Sequence, residues 1–435
     1  MSSTIPEVNK INDRAPHTDH ERNPAPASKF DRRLFLKGAA GIAAAGGVSM
    51  MAPSAALAAA KPQAAPRSRA AATGTAPLPK ALRSQAALVE AGDSTTAFSA
   101  ALPIVQRGTT YQMAQEVRWL DADHFAVGRW DGSMSIFEFQ TAPYQGPLIN
   151  EAVSSPAMQG LRMITALSGA AIATSNDSSS LALWRAGDGD WANLTLRGTY
   201  NYDPALGSAS SGAWVAESRL GRLVVGHASG HLSIWRYDPV SGTLTFERSV
   251  DVTNPNPVNP WNDHTVEDVV VADAAKGIVA AGSEDGYVTM MRASTGRILS
   301  QTLFNPQAQR GINALSVVDD RLLVSNCSVG PSDYNTWYYS INADWSITLL
   351  DKANLLIDTS RSQTFNFDIV WGTYSGGRCW FASTEEGALW MGTVTQSSLQ
   401  PIGYQRVTAP LGSALAFQGG ELAMVAYDLY QFTTA

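Results

Sequence analysis

Two carboxylates and an imidazole stand within four residues at Asp121-Ala122-Asp123-His124, a spacing that could hold a divalent cation. The same residues fall between two apolar runs, where the chain must turn and where aspartate is favoured because its side chain bonds nearby backbone. The turn is the reading adopted. A second set is scattered: Arg118, Arg162, His264, Glu267, Asp268, Asn313 and Asp368 each stand in or just ahead of an apolar β-run. Brought together, the carboxylates would suit Ca2+, a hard cation that takes oxygen ligands, and the histidine would suit proton transfer near neutrality. The competing reading gives each side chain a backbone group to satisfy, with no cofactor bound. The chain has no Gly-x-Ser-x-Gly, no phosphate loop ending in Gly-Lys-Ser/Thr, no His-Glu-x-x-His and no Cys-x-x-Cys. No residue is therefore assigned as catalytic or as a metal ligand.

Those residues need a large body to position them, and the chain is long enough to supply one. It has 435 residues, 45% hydrophobic and 16% charged, ample for a sizeable core. The net charge of −7 is unevenly spread, with a basic N-terminal quarter and an acidic remainder. Beyond residue 107 only Lys276 and Lys352 are lysines, so no lysine strip exists to track a phosphate backbone, and nucleic acid is excluded as a partner class. Cys327 and Cys379 are the only cysteines; they make neither a disulfide framework nor a Cys-rich zinc cluster, and their redox state stays open.

The N-terminal segment reads as an address. Asp31-Arg32-Arg33-Leu34-Phe35-Leu36-Lys37 precedes an Ala/Gly-rich, mildly apolar run, and Ala56-Leu57-Ala58 supplies small residues for cleavage after Ala58. This resembles a twin-arginine (Tat) signal peptide, with Arg32 and Arg33 as the arginine pair. The resemblance implies export of an already folded protein across the inner membrane, to the periplasm or the medium. The apolar run is too weak and too interrupted by glycine to be a spanning helix, so no stable membrane insertion is expected after cleavage. Residues 59–95 follow, rich in Ala, Pro, Arg and Ser and free of aromatics. Such a composition buries too little apolar surface to offset its ordering entropy, and a disordered, flexible linker is expected.

From there the sequence repeats. An apolar strand ending in small residues, an Asp/Gly/Ser turn and an alternating strand recur seven times, with turns near Asp131, Asp177, Ser229, Asp285, Ser332, Glu386 and Asp428. The spacing of 42 to 56 residues suits a four-stranded sheet plus connections. Asp131-Gly132 and Asp285-Gly286 are strong hairpin signals, because a tight primed turn needs positive φ. Gly282-Ser283-Glu284-Asp285-Gly286-Tyr287-Val288 resembles the hairpin of the WD-repeat β-propeller family. The resemblance implies an all-β, seven-bladed propeller of four-stranded antiparallel blades over residues 96–435, after a signal peptide at 1–58 and the linker at 59–95.

The repeats depart from the family in two places. Leu183-Trp184-Arg185, Ile234-Trp235-Arg236 and Met290-Met291-Arg292 stand where a Trp-Asp pair should close the third strand, and Gly226-His227 lies in a hairpin instead of ahead of a first strand. The family's Ser/Thr-His-Asp-Trp hydrogen-bond network is therefore not expected, only its architecture. The ring must also close, since an open edge strand templates aggregation. The seventh repeat supplies three strands, so the stretch 98–106 is expected to return as its outer strand, with Pro103 tolerated at that edge.

In this arrangement the scattered set above faces a central channel. The connection Asn254 to His264, stiffened by three prolines, could hold Trp261 outward as a binding anchor or bury it between blades. The sequence favours a monomeric, exported, non-catalytic scaffold for a protein partner. A metal-assisted hydrolase or lactonase-like enzyme at the channel and a glycan-binding propeller are the alternatives.

Overall fold

A computed structural model describes residues 102, 105–129, 132–138, 148–153, 161–175, 179–217, 220–254, 263–304, 311–328, 334–358, 364–407 and 414–434. Every described element is a β-strand except the 3-10 turn Pro204–Leu206. Among the described residues no helix is long and apolar enough to cross a membrane.

The strands form seven antiparallel blades, each built in chain order from an inner strand a to an outer strand d. Blade 2 is Met163–Leu167, Ala171–Ser175, Ser180–Gly187 and Asp190–Asn201. Blade 3 is Ala209–Ala216, Gly221–His227, His231–Asp238 and Thr243–Asp251; blade 4 is Val266–Asp273, Ile278–Ser283, Tyr287–Arg292 and Arg297–Leu303. Blade 5 is Ile312–Val318, Arg321–Ser328, Thr336–Ile341 and Ile347–Ala353; blade 6 is Thr364–Tyr374, Gly377–Thr384, Ala388–Val394 and Leu399–Arg406.

Blades 1 and 7 share strands. Val105–Trp119 runs out of blade 7 and into blade 1: residues 105–110 pair with 429–433, whereas 116–119 pair with His124–Arg129. Ser133–Glu138 and Leu148–Val153 complete blade 1. Ala414–Gln418 and Glu421–Thr433 complete blade 7. The last of these doubles back on itself, since the Thr434 amide reaches the Gly420 carbonyl at 2.7 Å, a contact that an extended strand of that length would forbid. The ring closes as the sequence demands, with a segment that overlaps the expected one at 105–106 and continues beyond it. Stretch 98–106 was expected to supply the outer strand; the paired residues are 105–110, whose main chain is free of proline and can donate throughout. Leu102 instead plugs the core between blades 6 and 7 beside Phe381, Leu422 and Phe432; residues 98–101, 103 and 104 lie outside the described set.

The apolar pattern explains the stacking. Second and third strands are apolar on both faces, as in Ile278–Ser283, buried at every position, because each blade packs against a neighbour on either side. Seven apolar clusters result, each drawn from two adjacent blades; the one holding Trp119, Phe125, Ala423 and Leu429 joins blade 7 to blade 1. Outer strands such as Thr243–Asp251 alternate and are largely exposed.

Candidate functional site

Because the strands of a blade alternate in direction, the b–c turns and the d–a connections share one face of the disc, and the a–b and c–d turns share the other. His264, Glu267 and Asp285 belong to the first face. Asp121-Ala122-Asp123-His124 is an a–b turn on the second: Asp121 Oδ1 accepts the amides of Asp123 and His124 at 2.9 Å each, as the turn reading requires. The carboxylate also holds His124 Nδ1 at 2.8 Å and accepts Trp191 Nε1 of blade 2 at 2.7 Å. Burial works against both charges, but their mutual hydrogen bond wins: the His124 pKa is raised and that of Asp121 lowered.

Three of the channel candidates join blades at the inner strands. Asp268 of blade 4 accepts the Ser211 hydroxyl of blade 3 at 2.9 Å and the Leu315 amide of blade 5 at 2.8 Å. Asp368 of blade 6 accepts the Leu415 amide of blade 7 at 2.7 Å. Asn313 of blade 5 donates to the Asn366 carbonyl of blade 6 at 2.7 Å. Residues that the sequence did not single out do the same work: Ser211 accepts the Val269 amide, Ser316 accepts the Trp371 amide, both at 3.0 Å, and Thr165 donates to the Gly212 carbonyl at 3.1 Å. Burial pushes the Asp268 pKa up, opposed chiefly by the charge of Arg118.

Bulges aim several of these side chains. Pairing skips one residue near the start of four inner strands, at Gln115, Glu267, Asn313 and Phe367, and a bulge re-aims the side chain it displaces. Arg118 lies on the inner strand of blade 1, its guanidinium 3.7 Å from Glu116. Arg162 sits just ahead of the blade 2 inner strand, half-buried, its amide bonded to the Ser175 carbonyl. Among the described residues no three His, Cys, Asp or Glu groups are arranged to hold a metal ion. Trp261, Arg32, Arg33 and Ala58 lie outside the described residues.

His264 turns to a partner within blade 4. Asp285, fully buried in the b–c turn, holds His264 Nδ1 at 3.1 Å and accepts the Asn254 amide at 2.7 Å, both on Oδ2, while its Oδ1 accepts the Ser283 hydroxyl. One carboxylate oxygen thus ties the two ends of the connection that carries Trp261. Other b–c turns use the same device. Glu386 accepts the amides of Ile357 and Asp358 at 2.9 Å, and Asn335 accepts that of Leu355 at 2.8 Å. In blade 3 the arrangement is sealed: His227 and Ser233 are 0% exposed, Nε2 to Oγ is 2.7 Å, and Trp235 donates to the same hydroxyl at 2.8 Å. Burial lowers the His227 pKa to about 4.

No protein-family model matches the sequence, and no curated protein matches it. Solved structures match in shape. The WD40 β-propeller domain of Doa1 aligns with a TM-score of 0.55 at 11% identity, over 77% of this chain and 98% of that one. The β-propeller domain of Cps50 (Swd1) from Myceliophteria thermophila gives 0.55 at 13% identity, over 77% and 100%. The Neurospora crassa Pan2 WD40 domain gives 0.53 at 9%, over 74% and 89%. The fold is a WD40-type β-propeller.

Within that WD40-type frame, the expectation that only architecture carries over needs correction. Blade 4 keeps Ser283, His264 and Asp285 in contact and lacks only the tryptophan, where Met290 and Met291 stand. Blade 2 keeps the other half, Trp184 donating to Thr174 at 3.0 Å, and in blade 5 Trp337 donates to Asn326 at 3.0 Å. The part that His264 plays in this network was missed because it stands thirteen residues beyond the last strand of the preceding blade, without the glycine that marks the family pattern.

Proposed function

We propose that the chain is exported through the twin-arginine route, is cut after Ala58, and serves outside the inner membrane as a protein-interaction scaffold. Partners dock on the face of b–c turns and d–a connections, with Trp261 as an anchor. The observation that carries this reading is the commitment of side chains. Asp268, Asn313 and Asp368 spend their polar atoms joining blades, while Asp285 fixes both ends of the connection bearing Trp261. A pinned loop pays little entropy on binding, which is what a docking anchor needs. The WD40-type fold supports the reading at the level of architecture.

The test is affinity capture from the periplasm and medium of the native host, with the wild-type protein and a Trp261→Ala variant side by side. A partner in fixed stoichiometry that the variant fails to hold is the expected result. A stoichiometric divalent ion at the channel, lost together with a hydrolytic activity in Asp368→Asn, would overturn it.

A further inference from the structure

Where the disc closes, between blades 7 and 1, two buried polar side chains point into one interface. Gln431 is the third residue of the blade 7 stretch 429–433 and is 0% exposed. Side chains alternate along a strand, so Gln431 shares a face with Leu429, which packs with Phe125, Val127 and Phe137 of blade 1. The alternate residues Tyr430 and Phe432 pack with blade 6 instead. Ser135 is the third residue of the blade 1 strand Ser133–Glu138, and it too is 0% exposed. It lies opposite Val127 and shares a face with Phe137, whereas Met134 and Ile136 turn to blade 2. The two side chains therefore enter the seam from its opposite walls.

Neither finds a partner. Among the described residues Gln431 Oε1, Gln431 Nε2 and Ser135 Oγ all lack a hydrogen bond, and a buried polar group in that state has lost its water without return. The same strand position is treated differently elsewhere. In blade 3 it is Ser233, bonded by His227 and Trp235 at 2.7 and 2.8 Å. In blade 4 it is Thr289, which accepts Gln301 Nε2 at 3.2 Å. The main chain at the seam is also held less firmly. In blades 2 to 6 a turn ties the outer strand to the third, but here the two come from opposite ends of the chain, so nothing local keeps them together once they part. The register slips inside this ladder as well, between Gln106 and Gly108, the residue opposite Gln431.

We propose that the seam between blades 7 and 1 is the releasable joint of the disc. Residues 105–110 leave the edge 429–433 in reversible local openings that hydrate Gln431 and Ser135, while the turn-tied blades stay shut. Opening bares a strand edge at 429–433, with main-chain donors and acceptors ready for another extended segment. The device is separate from the loop face and does not depend on Trp261.

The test is hydrogen exchange of the full-length protein, read by mass spectrometry. Amides of 429–433 are expected to exchange at least about tenfold faster than those of His231–Asp238 in blade 3 and Tyr287–Arg292 in blade 4. Gln431→Met keeps the length of the side chain and removes its unmet polar atoms, and Ser135→Ala does the same for the hydroxyl. Together they should slow exchange at 429–433 by about tenfold, leave blade 3 unchanged, and hold or raise the melting temperature. Ser233→Ala is the contrast: it strands His227 and Trp235 and should speed exchange in blade 3. The proposal is overturned if 429–433 exchange no faster than the third strands of blades 3 and 4. It is equally overturned if the double variant exchanges faster at the seam or melts earlier, because the two side chains would then be holding the joint. None of these outcomes bears on capture through Trp261.

Discussion

Blades 3 and 4 each hold a histidine, a serine and a buried turn, and they treat them in opposite ways. In blade 4 the imidazole stays at the surface, 23% exposed, and reaches down to a buried carboxylate. In blade 3 the imidazole is sealed against Ser233 and Tyr202, with no acid beside it. The first arrangement makes a hydrogen-bonded clamp that fixes a long connection; the second is a neutral rivet within one sheet. A serine–histidine pair at hydrogen-bond distance is therefore no sign of nucleophilic chemistry here, because nothing can reach the blade 3 pair.

The sharpest way to break the comparison is Asp285→Ala. It strands the Asn254 amide and the Ser283 hydroxyl, and should cost about 3 to 4 kcal/mol in denaturant unfolding; a loss as small as that of a surface change would mean the clamp does not hold the loop. The sealed histidine makes the opposite claim about pH. Since its folded pKa is lowered to about 4, its contribution is fully present above the unfolded value near 6.5 and is lost as pH falls through about 4. Wild type should lose about 3 kcal/mol over that window, and His227→Gln should flatten the slope. Asp268 supplies a third, acidic case: burial raises its pKa, so its ionised form gains nothing from folding. Asp268→Asn should change neutral-pH stability by less than about 1 kcal/mol, whereas Asp268→Ala, which abandons the Leu315 amide, should cost about 2. The smallest effect belongs to His124, whose raised pKa makes its contribution present below the unfolded value and lost as pH rises through the folded one; His124→Gln should remove less than about 1 kcal/mol, seen only on the acid side.

The seven repeats were legible in the sequence because each blade's second and third strands are apolar on both faces, and four of the turns between them carry glycine at positive φ, at Gly132, Gly230, Gly286 and Gly387. The site was less so. That Asp268 and Asp368 stand on first strands could be read from the apolar runs; that they would bond the next blade's amides depends on a register between sheets that no local pattern encodes. The Asp285 clamp joins residues 254, 264 and 285 across a loop and a strand, and only the closed fold makes them neighbours. The closing strand was placed too early because apolar character was used to find it, although an outer edge is held by its main chain and needs few apolar side chains.

The shared sheet of blades 1 and 7 has a kinetic consequence. Residues 105–110 find their partners only at 429–433, the most distant pairing in the described chain, so loop closure must precede any gain from the seam. A nascent polypeptide can assemble the middle blades one after another, yet the disc stays unsealed until Leu429–Thr433 has been synthesised. Folding of this molecule is thus completed in a single late event, and a chain interrupted before that point is left with two raw edges.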